Sequence, residues 1–472
     1  MDDRFNVRLR EMMAETELTA GVTTGLLERL RGFVVPFAAS LSEPEQRTHT
    51  HEYVSGLLSP LERKTGEAIA YLHEHERQGI QKFMGHVPWD HRPRIAVLAE
   101  QVGQTIGEPD GVIVFDPSGF AKKGTTSVGV ARQWCGRQGK IDNCQVGVYL
   151  GYVSRRDHAR VDVRLYLPEE WTRDRKRCRK AGVPKAVRFQ TRHEQAREML
   201  AEHGPRLPHG WVTGDDERGR SSSFRQELRA RGEHYVLAVP SNTLVRDDEA
   251  DPPAYTGRGR RPGVPFGRVD RWVTALPASA WTTITVRDGE KGPLAVDVVC
   301  RRVTARMGRK VGAPETLFVT RERLSDGGSK HDYDLASAAD GTTPAEFARV
   351  TKAAHEIEEC FRQAKSQAGW GDYQVRNGMG WHHHQTLALI ASWFLSVETR
   401  RGEKETPALT APRWKDIIAS LLVEELEYHT PPKVRWRTTR WLQRIEQARF
   451  YWHRARNILP KLRKELQQPG KQ

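Results

Sequence analysis

The order of hydrophobic periods between residues 106 and 240 constrains the fold more than any other feature of this sequence. GVIVFD at 111–116 is a short apolar run that fits one buried strand, and two runs with alternating apolar residues follow it. Two more short apolar runs come later, each preceded by a segment with helical periodicity. The segment therefore predicts three strands, a helix, a strand, a helix and a strand, which is an α/β arrangement around a mixed sheet. The later runs are NCQVGVYLGYVS, HARVDVRLYLP, WVTGD and HYVLAVP, and the helical segments are 191–204 and FRQELRARG.

Acidic residues stand at the ends of two of these strands, and a third lies in a later helix. Asp116 ends GVIVFD, Asp215 ends GWVTGD, and Glu358 lies inside AAHEIEECFRQAK. Burying a bare carboxylate is so unfavourable that each must be solvated, paired or bound to a metal. Each alone is equally well explained as a helix or turn cap. The strand and helix order in which all three occur favours one shared site.

Three carboxylates at close quarters repel one another, and bound cations remove that penalty. Oxygen ligands and phosphate substrates favour Mg²⁺, with Mn²⁺ as its substitute, over zinc. Two such ions about 3.5–4 Å apart can hold the attacking and leaving oxygens of a phosphoryl displacement. The five cysteines form no CxxC pair, and the consecutive His382, His383 and His384 point in three directions on a helix. Neither set predicts a zinc site, and capping or polar core contacts are the expectation for the histidines.

The charge balance favours a polyanionic partner. Lys and Arg number 75 against 60 Asp and Glu, which gives a formal charge of +15. The longest apolar stretch, LALIASWFLSV at 387–397, is too short to cross a bilayer and predicts a buried helix. The N-terminus lacks the apolar core of a signal peptide. We therefore expect a cytoplasmic protein without a membrane partner.

The remaining segments divide the chain into regions. Residues 1–105 read as helical, with Ser59 predicted to cap a helix and GEAIAYLHEHERQGIQKF predicted to form one. Residues 241–344 read as a β-rich insertion, with strands at RVDRWVTAL, WTTITVR, AVDVVCRRVTAR and TLFVTRE and a loop from 325. Residues 106–240 and 345–400 are the two parts of the core, and residues 401–472 form a basic helical region.

Long strings around the three acids are specific. They include VFDPSGFAKKGTTSVGVARQWCGRQGKIDNCQVGVYLGY, LYLPEEW, WVTGDDERGRSSSFRQELRARGEHYVLAVPSN and IEECFRQAKSQAGWGDYQVRNGMGWHHHQTLALIASWFL. Together they resemble the DDE transposases of bacterial insertion sequences, and above all the insertion sequence 701 family of the insertion-sequence-4-like group. The resemblance implies an RNase H-like mixed-sheet catalytic core interrupted by the β-rich insertion, with helical N- and C-terminal regions.

The resemblance also implies which acids are catalytic and bind the two metal ions. The first Asp of the family falls on Asp116, the second on Asp215 rather than Asp216, and the Glu on Glu358 rather than Glu359. In the related group this Glu belongs to a Tyr-x2-Arg-x3-Glu-x6-Lys pattern.

The chain keeps only part of that pattern. Lys365 occupies its Lys position, whereas Thr351 and Ala354 replace the Tyr and the Arg. Phosphate contacts that the related group makes through that Tyr and Arg are therefore not expected here.

By the same resemblance, the protein cleaves the terminal inverted repeats of its element and joins the 3′-hydroxyl ends to target DNA. Double-stranded DNA is then the partner, a homodimer on DNA is the expected assembly, and the bacterial nucleoid is the expected location. Two alternatives stay open: a catalytically silent, transposase-derived DNA-binding protein, and a related metal-dependent nuclease without strand transfer.

Candidate DNA contacts lie near the acids, in the insertion and near the C-terminus. GRGRRPG at 257–263 resembles a minor-groove hook, with a flexible solvated loop as the alternative. Relatives that excise through DNA hairpins stack a flipped base on an insertion-domain aromatic, a role open to Trp272 or Trp281 unless both are core residues. The basic candidates are Lys122, Lys123, Arg260, Arg261, Lys365, Arg435, Arg437 and Arg440.

Overall fold

The computed structural model describes residues 23–255, 257, 261–289, 292–323, 328–403 and 410–429. Within these ranges, the side chains of residues 137, 286–289, 292–294, 355, 358–367, 403 and 427–429 are not described. The chain divides into two compact units, one formed by Ile95–Arg362 and the other by Met1–Arg94 with Gln363–Gln472.

The described part of the chain contains twelve strands in one sheet and fourteen α-helices. The strands are β1 Val112–Ala121, β2 Ala131–Cys135, β3 Lys140–Val153, β4 His158–Tyr166, β5 Trp211–Gly214, β6 Tyr235–Ala238, β7 Leu244–Asp247, β8 Gly267–Arg268, β9 Thr282–Gly289, β10 Gly292–Met307, β11 Lys310–Arg323 and β12 Ser329–Ser337. The helices are α1 Leu26–Ala38, α2 Pro44–Leu58, α3 Gly66–Leu72, α4 Arg77–Gly85, α5 Arg92–Ile106, α6 Glu169–Arg173, α7 Arg175–Lys180, α8 Arg192–His203, α9 Asp216–Arg220, α10 Ser222–Ala230, α11 Val269–Thr274, α12 Pro344–Gln367, α13 Gly378–Glu403 and α14 Ala411–His429.

The first part of the sheet has the strand order β4-β3-β1-β5-β6. β1, β3 and β4 pair antiparallel, and β5 and β6 then add to β1 in parallel. The parallel connections run through α8 and through α9 and α10, as parallel strands require a crossover. All five strands predicted between 106 and 240 are confirmed, as are the helices that separate them, and α8 begins with a capping box at Thr191 and Glu194.

The predicted insertion continues the same sheet. β12 pairs antiparallel with β6, and the order then runs through β11, β10, β7 and β8. The predicted loop from 325 is therefore wrong, because Ser329–Ser337 forms β12. Its first half is polar and mostly exposed, so no apolar alternation marks it as a strand. Hydrogen bonds to β11 and β6 on its two sides hold it in the sheet.

The strand predicted at RVDRWVTAL is also wrong, since this segment contains helix α11. Val269 and Val273 are both buried, and their spacing of four places them on one helical face. The sequence VDRWV fits an alternating pattern and a helical pattern equally well. Packing of the two valines against the core of the insertion decides between them.

In the other unit, two predictions about the N-terminal region are wrong. Ser59 does not begin a helix: it follows α2, and its Oγ donates a hydrogen bond to Gly56 O over 2.7 Å. The next helix is capped by Thr65, whose side chain accepts from Ala68 N. The single helix predicted at GEAIAYLHEHERQGIQKF is broken into α3 and α4, and Glu74 between them has a φ of 63°.

The buried helix predicted around 387–397 is confirmed as the centre of α13. Its large side chains, including Trp381, Trp393 and Phe394, are almost fully buried, and α13 packs against α1, α2 and α14. Of the helices described, none combines the length and the apolar character needed to cross a membrane.

Candidate active site

The register of β1 and β5 brings two of the predicted catalytic residues to the same place in the sheet. The strands pair in parallel from Val112 with Trp211 to Phe115 with Gly214. Asp116 and Asp215 are the next residues along the chain after these paired segments. Because neighbouring strands lie about 4.8 Å apart, the two backbones carry these aspartates side by side as the parallel pairing ends.

Asp116 is not at the end of its strand, which corrects one expectation. β1 continues through Pro117 to Ala121 by pairing with β3, and Asp116 lies opposite Tyr149. Only the pairing with β5 stops at Phe115. Pro117 has no N–H to donate, and it stands where β1 has lost its neighbour on the β5 side. Asp116 therefore lies where β1 is still paired with β3 on one side but is no longer paired with β5 on the other.

Asp215 caps helix α9. Its side chain accepts a hydrogen bond from Arg218 N, with Oδ1 3.3 Å away. Burial raises the pKa of the Asp215 carboxyl, although the positive charge of Arg218 acts in the opposite direction. A carboxylate has about four acceptor positions, so capping leaves oxygen lone pairs for a cation. A cation would also relieve the burial penalty that raises this pKa.

Helix α12 crosses the face of the sheet that carries Asp116. Alternation places Val112, Val114 and Asp116 on one face of β1. At the level of Val112, Trp211 Nε1 donates a hydrogen bond to Glu346 Oε1 over 2.8 Å. At the level of Val114, Gly151 lies beneath Ile357.

From Glu346 to Ile357 the helix therefore advances along the strands toward the level of Asp116. Glu358 is the next residue of α12, and its side chain lies outside the described residues. The backbone course is the one that the predicted role of Glu358 requires, and that role stays a prediction.

The two described carboxylates suit a hard divalent cation. Both are oxygen donors, they come directly after the paired segments of β1 and β5, and burial disfavours charge on Asp215. Within the described side chains, no three His, Cys, Asp or Glu residues gather closely enough to hold a metal. Glu358, the third predicted ligand, is not among those side chains.

Of the predicted basic contacts, Lys122, Lys123 and Arg261 are described. Lys122 is half-buried near the end of β1, and burial lowers its pKa to about 8. Lys123 is exposed, and the exposed Arg261 guanidinium lies 5.7 Å from the Tyr255 ring centre. The other predicted contacts fall outside the described residues or have undescribed side chains: Arg260, Lys365, Arg435, Arg437 and Arg440.

The two tryptophans predicted to stack on a base are packed within the insertion. Trp272 lies on α11, where its Nε1 donates to Asp247 Oδ2 over 3.2 Å. The Arg321 guanidinium covers the Trp281 ring at 4.0 Å. Both are partly buried against the core of the insertion, so their base-stacking role stays a prediction. By contrast, Trp134 in the β2–β3 hairpin is 55% exposed and faces the exposed Ile141.

The three consecutive histidines make separate polar contacts, as predicted. His382 Nδ1 lies 2.8 Å from Gly378 O, and His384 Nδ1 lies 2.9 Å from the Tyr53 hydroxyl. His383 Nδ1 and Nε2 contact two backbone carbonyls, and burial lowers its pKa to about 4.

Two residues that support the site were not singled out from the sequence. Gly151 gives α12 its close approach to β3, and a glycine inside an alternating strand is the signal that could have revealed it. The buried Arg218 packs beside Gly214, where a β-carbon would meet its Cγ at 3.0 Å. Arg218 Nη1 lies 3.3 Å from Glu217 Oε2 without hydrogen-bond geometry. Nothing in the string DDERGR marks this arginine as buried.

Comparison with known proteins gives matches of three kinds. One curated relative, "Probable transposase for insertion sequence element IS701" from Microchaete diplosiphon, is 33% identical over 94 residues, which are 20% of this chain and 25% of that protein. The chain thus spans about a quarter of the length of this relative. A cryo-EM structure of the piggyBac transposase synaptic complex with hairpin DNA has a TM-score of 0.41 and 9% identity, over 88% of this chain and 82% of that chain. Similarity of that size does not establish a shared fold.

The third kind of match is to a sequence family. Residues 36–293 match the family described as DDE superfamily endonuclease. These residues include β1, β5 and both aspartates, and they make up more than half of the chain. The protein therefore belongs to the DDE superfamily endonucleases.

Proposed function

We propose that this endonuclease is a DNA transposase with an RNase H-like catalytic core, in which Asp116, Asp215 and Glu358 act as one site. The observation that carries the proposal is the parallel register that makes Asp116 and Asp215 the first residues after the paired segments of β1 and β5. The strand order β4-β3-β1-β5-β6, with three antiparallel strands and two parallel ones, supports the RNase H-like arrangement. The name of the curated relative supports transposition.

Each acid has a distinct support. Asp116 is held by pairing of β1 with β3, and Asp215 by its cap contact with α9. The position of Glu358 depends on the close packing of α12 against Gly151. Two Mg²⁺ ions, or Mn²⁺ as a substitute, would supply charge neutralisation and Lewis-acid activation when bound to these carboxylates.

The proposed reaction has two steps. Hydrolysis adds water across a P–O3′ bond at a terminal inverted repeat and leaves a 5′-phosphate and a free 3′-hydroxyl. In strand transfer, that 3′-hydroxyl attacks a target phosphodiester and displaces the 3′-oxygen of the target strand. One phosphodiester bond forms as one breaks, so the second step needs no further reactant.

Double-stranded DNA is the proposed partner, and two element ends require a homodimer on DNA. The formal charge of +15 supports a polyanionic partner. Residues 1–105, the insertion at 241–344 and residues 401–472 are the proposed regions of DNA contact around the core, in a protein of the bacterial cytoplasm and nucleoid. The proposed individual contacts are Lys122, Lys123, Arg260, Arg261, Lys365, Arg435, Arg437 and Arg440, with Trp272 and Trp281 for a flipped base.

The test uses the full-length protein, Mg²⁺ or Mn²⁺, and duplexes that carry the ends of its element. Strand-transfer products support the proposal. Cleavage without joining identifies a nuclease that lacks strand transfer, and bound but uncut DNA identifies a silent DNA-binding protein. We expect D116N, D215N and E358Q each to abolish cutting while DNA affinity stays within a few-fold of wild type.

D216N is the matched control. Asp216 is adjacent to Asp215, but it is exposed and paired with Arg220 at 3.1 Å. Loss of cutting in D216N, together with normal cutting in D215N, would move the second carboxylate to position 216.

A further inference from the structure

A cavity of about 270 Å³ lies beside α9, the helix that Asp215 caps. Its walls come from the α9–α10 segment, from the chain after β6 and from the turn between β10 and β11. Because β5 and β6 are parallel, the chain that leaves β6 emerges at the same edge of the sheet as Asp215. The cavity and the candidate active site therefore share one edge.

The cavity is lined by three arginines with different surroundings: Arg220, Arg225 and Arg306. Arg220 pairs with Asp216 at 3.1 Å, and Arg225 Nε donates to Glu315 Oε1 over 2.8 Å. The Arg306 guanidinium lies over the Phe266 ring at 4.6 Å, and among the described residues its buried Nε has no hydrogen-bond partner. Arg306 thus brings a positive charge to the cavity, and no carboxylate of the described residues accepts a hydrogen bond from its Nε atom.

The wall around Arg225 is rigid. Glu315 is 2% exposed, and it accepts hydrogen bonds from Arg225 and from the Tyr235 hydroxyl, the latter at 2.6 Å. Arg225 also donates to Gly219 O. A β-carbon at Gly219 would lie 1.9 Å from Ala238 O, so only glycine lets α9 pack this closely on β6. These contacts fix the cavity before any ligand arrives, which limits the ordering that binding must impose.

We propose that this cavity binds a phosphate group of the DNA backbone on the strand that passes the active site. The inference rests on the proposed function and adds a substrate contact to it. The volume of the cavity lies just below the range of about 300–1,000 Å³ typical of pockets for drug-sized ligands. A phosphate with part of its sugar therefore fits better than a larger molecule. The Arg306 fork supplies paired N–H donors for a phosphate, and the exposed Asn242 amide, which also lines the cavity, supplies another.

The test compares R306A with R246A. Both arginines lie over the Phe266 ring, Arg306 at 4.6 Å and Arg246 at 5.4 Å, but only Arg306 lines the cavity. Affinity for a random-sequence duplex is measured against salt concentration in EDTA, so that no cutting occurs. R306A should weaken binding on the order of tenfold and reduce the salt slope by about 0.9, the value for one phosphate contact. R246A should change the slope little.

A second variant covers the case in which R306A does not fold. N242D places a carboxylate in the cavity from an exposed loop, and it should weaken DNA binding in the same way. An R306A slope equal to that of wild type, or an equal loss in R246A, would overturn the proposal.

Inorganic phosphate is the other arm of the test. If Arg306 is needed for free phosphate to raise the thermal midpoint, while duplex affinity is unchanged in R306A, the cavity takes the free ion and the DNA contact is wrong. Wild-type protein that fails to bind any duplex overturns both this inference and the proposed function. Normal duplex binding by both wild type and R306A overturns this inference alone.

Discussion

Gly151 on β3 and Ile357 on α12 meet so closely that only glycine fits at position 151. A β-carbon there would lie 2.5 Å from Ile357 Cδ1 and 3.0 Å from its Cγ1. Ile357 is fully buried, so its side chain has little freedom to turn away. The contact fixes the height of α12 above the sheet one residue before Glu358. A residue without functional groups therefore helps to set where the third acid begins.

G151A should reduce DNA cutting far more than it reduces stability. Overpacking of this kind costs about 1–3 kcal/mol, whereas a displacement of about 1 Å at a catalytic group can cost about 100-fold in rate. Cleavage rate and thermal midpoint of the full-length protein are the measurements. G267A is the matched control, because a β-carbon at Gly267 meets no atom within 4 Å.

Restoring the lost space tests the cause. I357V removes the Cδ1 atom that lies nearest to position 151, so G151A/I357V should cut faster than G151A alone. Equal rates of cutting by G151A and wild type would show that the packing of α12 against position 151 does not control catalysis.

The carboxylate of Asp215 gives a prediction about metal and stability. Its pKa is raised by burial, so above the unfolded value of about 3.9 its ionisation destabilises the fold, and fully so above the raised pKa. Asn removes that charge and still caps a helix, so D215N without metal should melt at or above the wild-type midpoint at pH 7.

Mg²⁺ should reverse that ranking. A ligand at 100 times its Kd stabilises the folded state by about 2.7 kcal/mol, and this gain should appear in wild type and in the D216N control but not in D215N. Calorimetry with Mg²⁺ and with EDTA measures it. An equal gain in D215N would mean that the ion binds elsewhere.

Five of the six strands between 106 and 240 could be predicted because each carries its own apolar pattern, whereas the mostly polar β2 was not predicted. β12 could not, since its pairing with β11 and β6 comes from neighbours distant in sequence rather than from its own polar first half. The prediction for α11 was wrong for a different reason: the spacing of four residues between Val269 and Val273 fits both the period of a strand and that of a helix. Propensity and pattern do not decide such cases, and tertiary packing does.

The site shows the same division. Asp116 and Asp215 can be recognised in the sequence as carboxylates that follow apolar runs, and the register of β1 with β5 aligns them in the structure. Gly151 and Arg218 act through close packing, and such contacts leave only a weak trace in one sequence. The continuation of β1 beyond Asp116 depends on β3, so the strand end predicted at Asp116 was wrong.

Arg218 gives a prediction about pH. Burial raises the pKa of Asp215, and the positive charge of Arg218 opposes that rise. R218Q removes the charge, so the pKa of Asp215 should rise further. The pH at which Mg²⁺ binding reaches half its maximum should then move upward.

R231Q serves as the control, because Arg231 is exposed at the end of α10. Calorimetric titration with Mg²⁺ between pH 5 and 8 gives the midpoint for each variant. A downward movement in R218Q would contradict the assigned sign of the Arg218 effect.

A buried hydrogen-bonded pair away from the acids should control stability at low pH. Asp162 Oδ2 lies 3.0 Å from His203 Nε2, with Asp162 5% exposed and His203 fully buried. Burial is the largest influence and opposes ionisation of Asp162, but the contacts with His203, Arg164 and the Val163 N–H together outweigh it, and the pKa falls to about 2. A carboxyl with a lowered folded pKa stabilises the protein above its unfolded value of about 3.9, and that stabilisation is lost as the pH falls toward 2.

D162N should therefore lower the thermal midpoint at pH 7, by about 2 kcal/mol in stability or on the order of 5 °C. The deficit should shrink as the pH falls below about 4, because the carboxyl of the unfolded wild-type chain takes up its proton there, whereas the folded carboxyl does so only near pH 2. D332N is the control, since Asp332 is exposed and lies 3.4 Å from Lys330, a pair that contributes little in solvent. Scanning calorimetry at several pH values between 3 and 7 measures the three proteins. A deficit that stays constant across this range would mean that D162N acts through packing, with no contribution from the charge on Asp162.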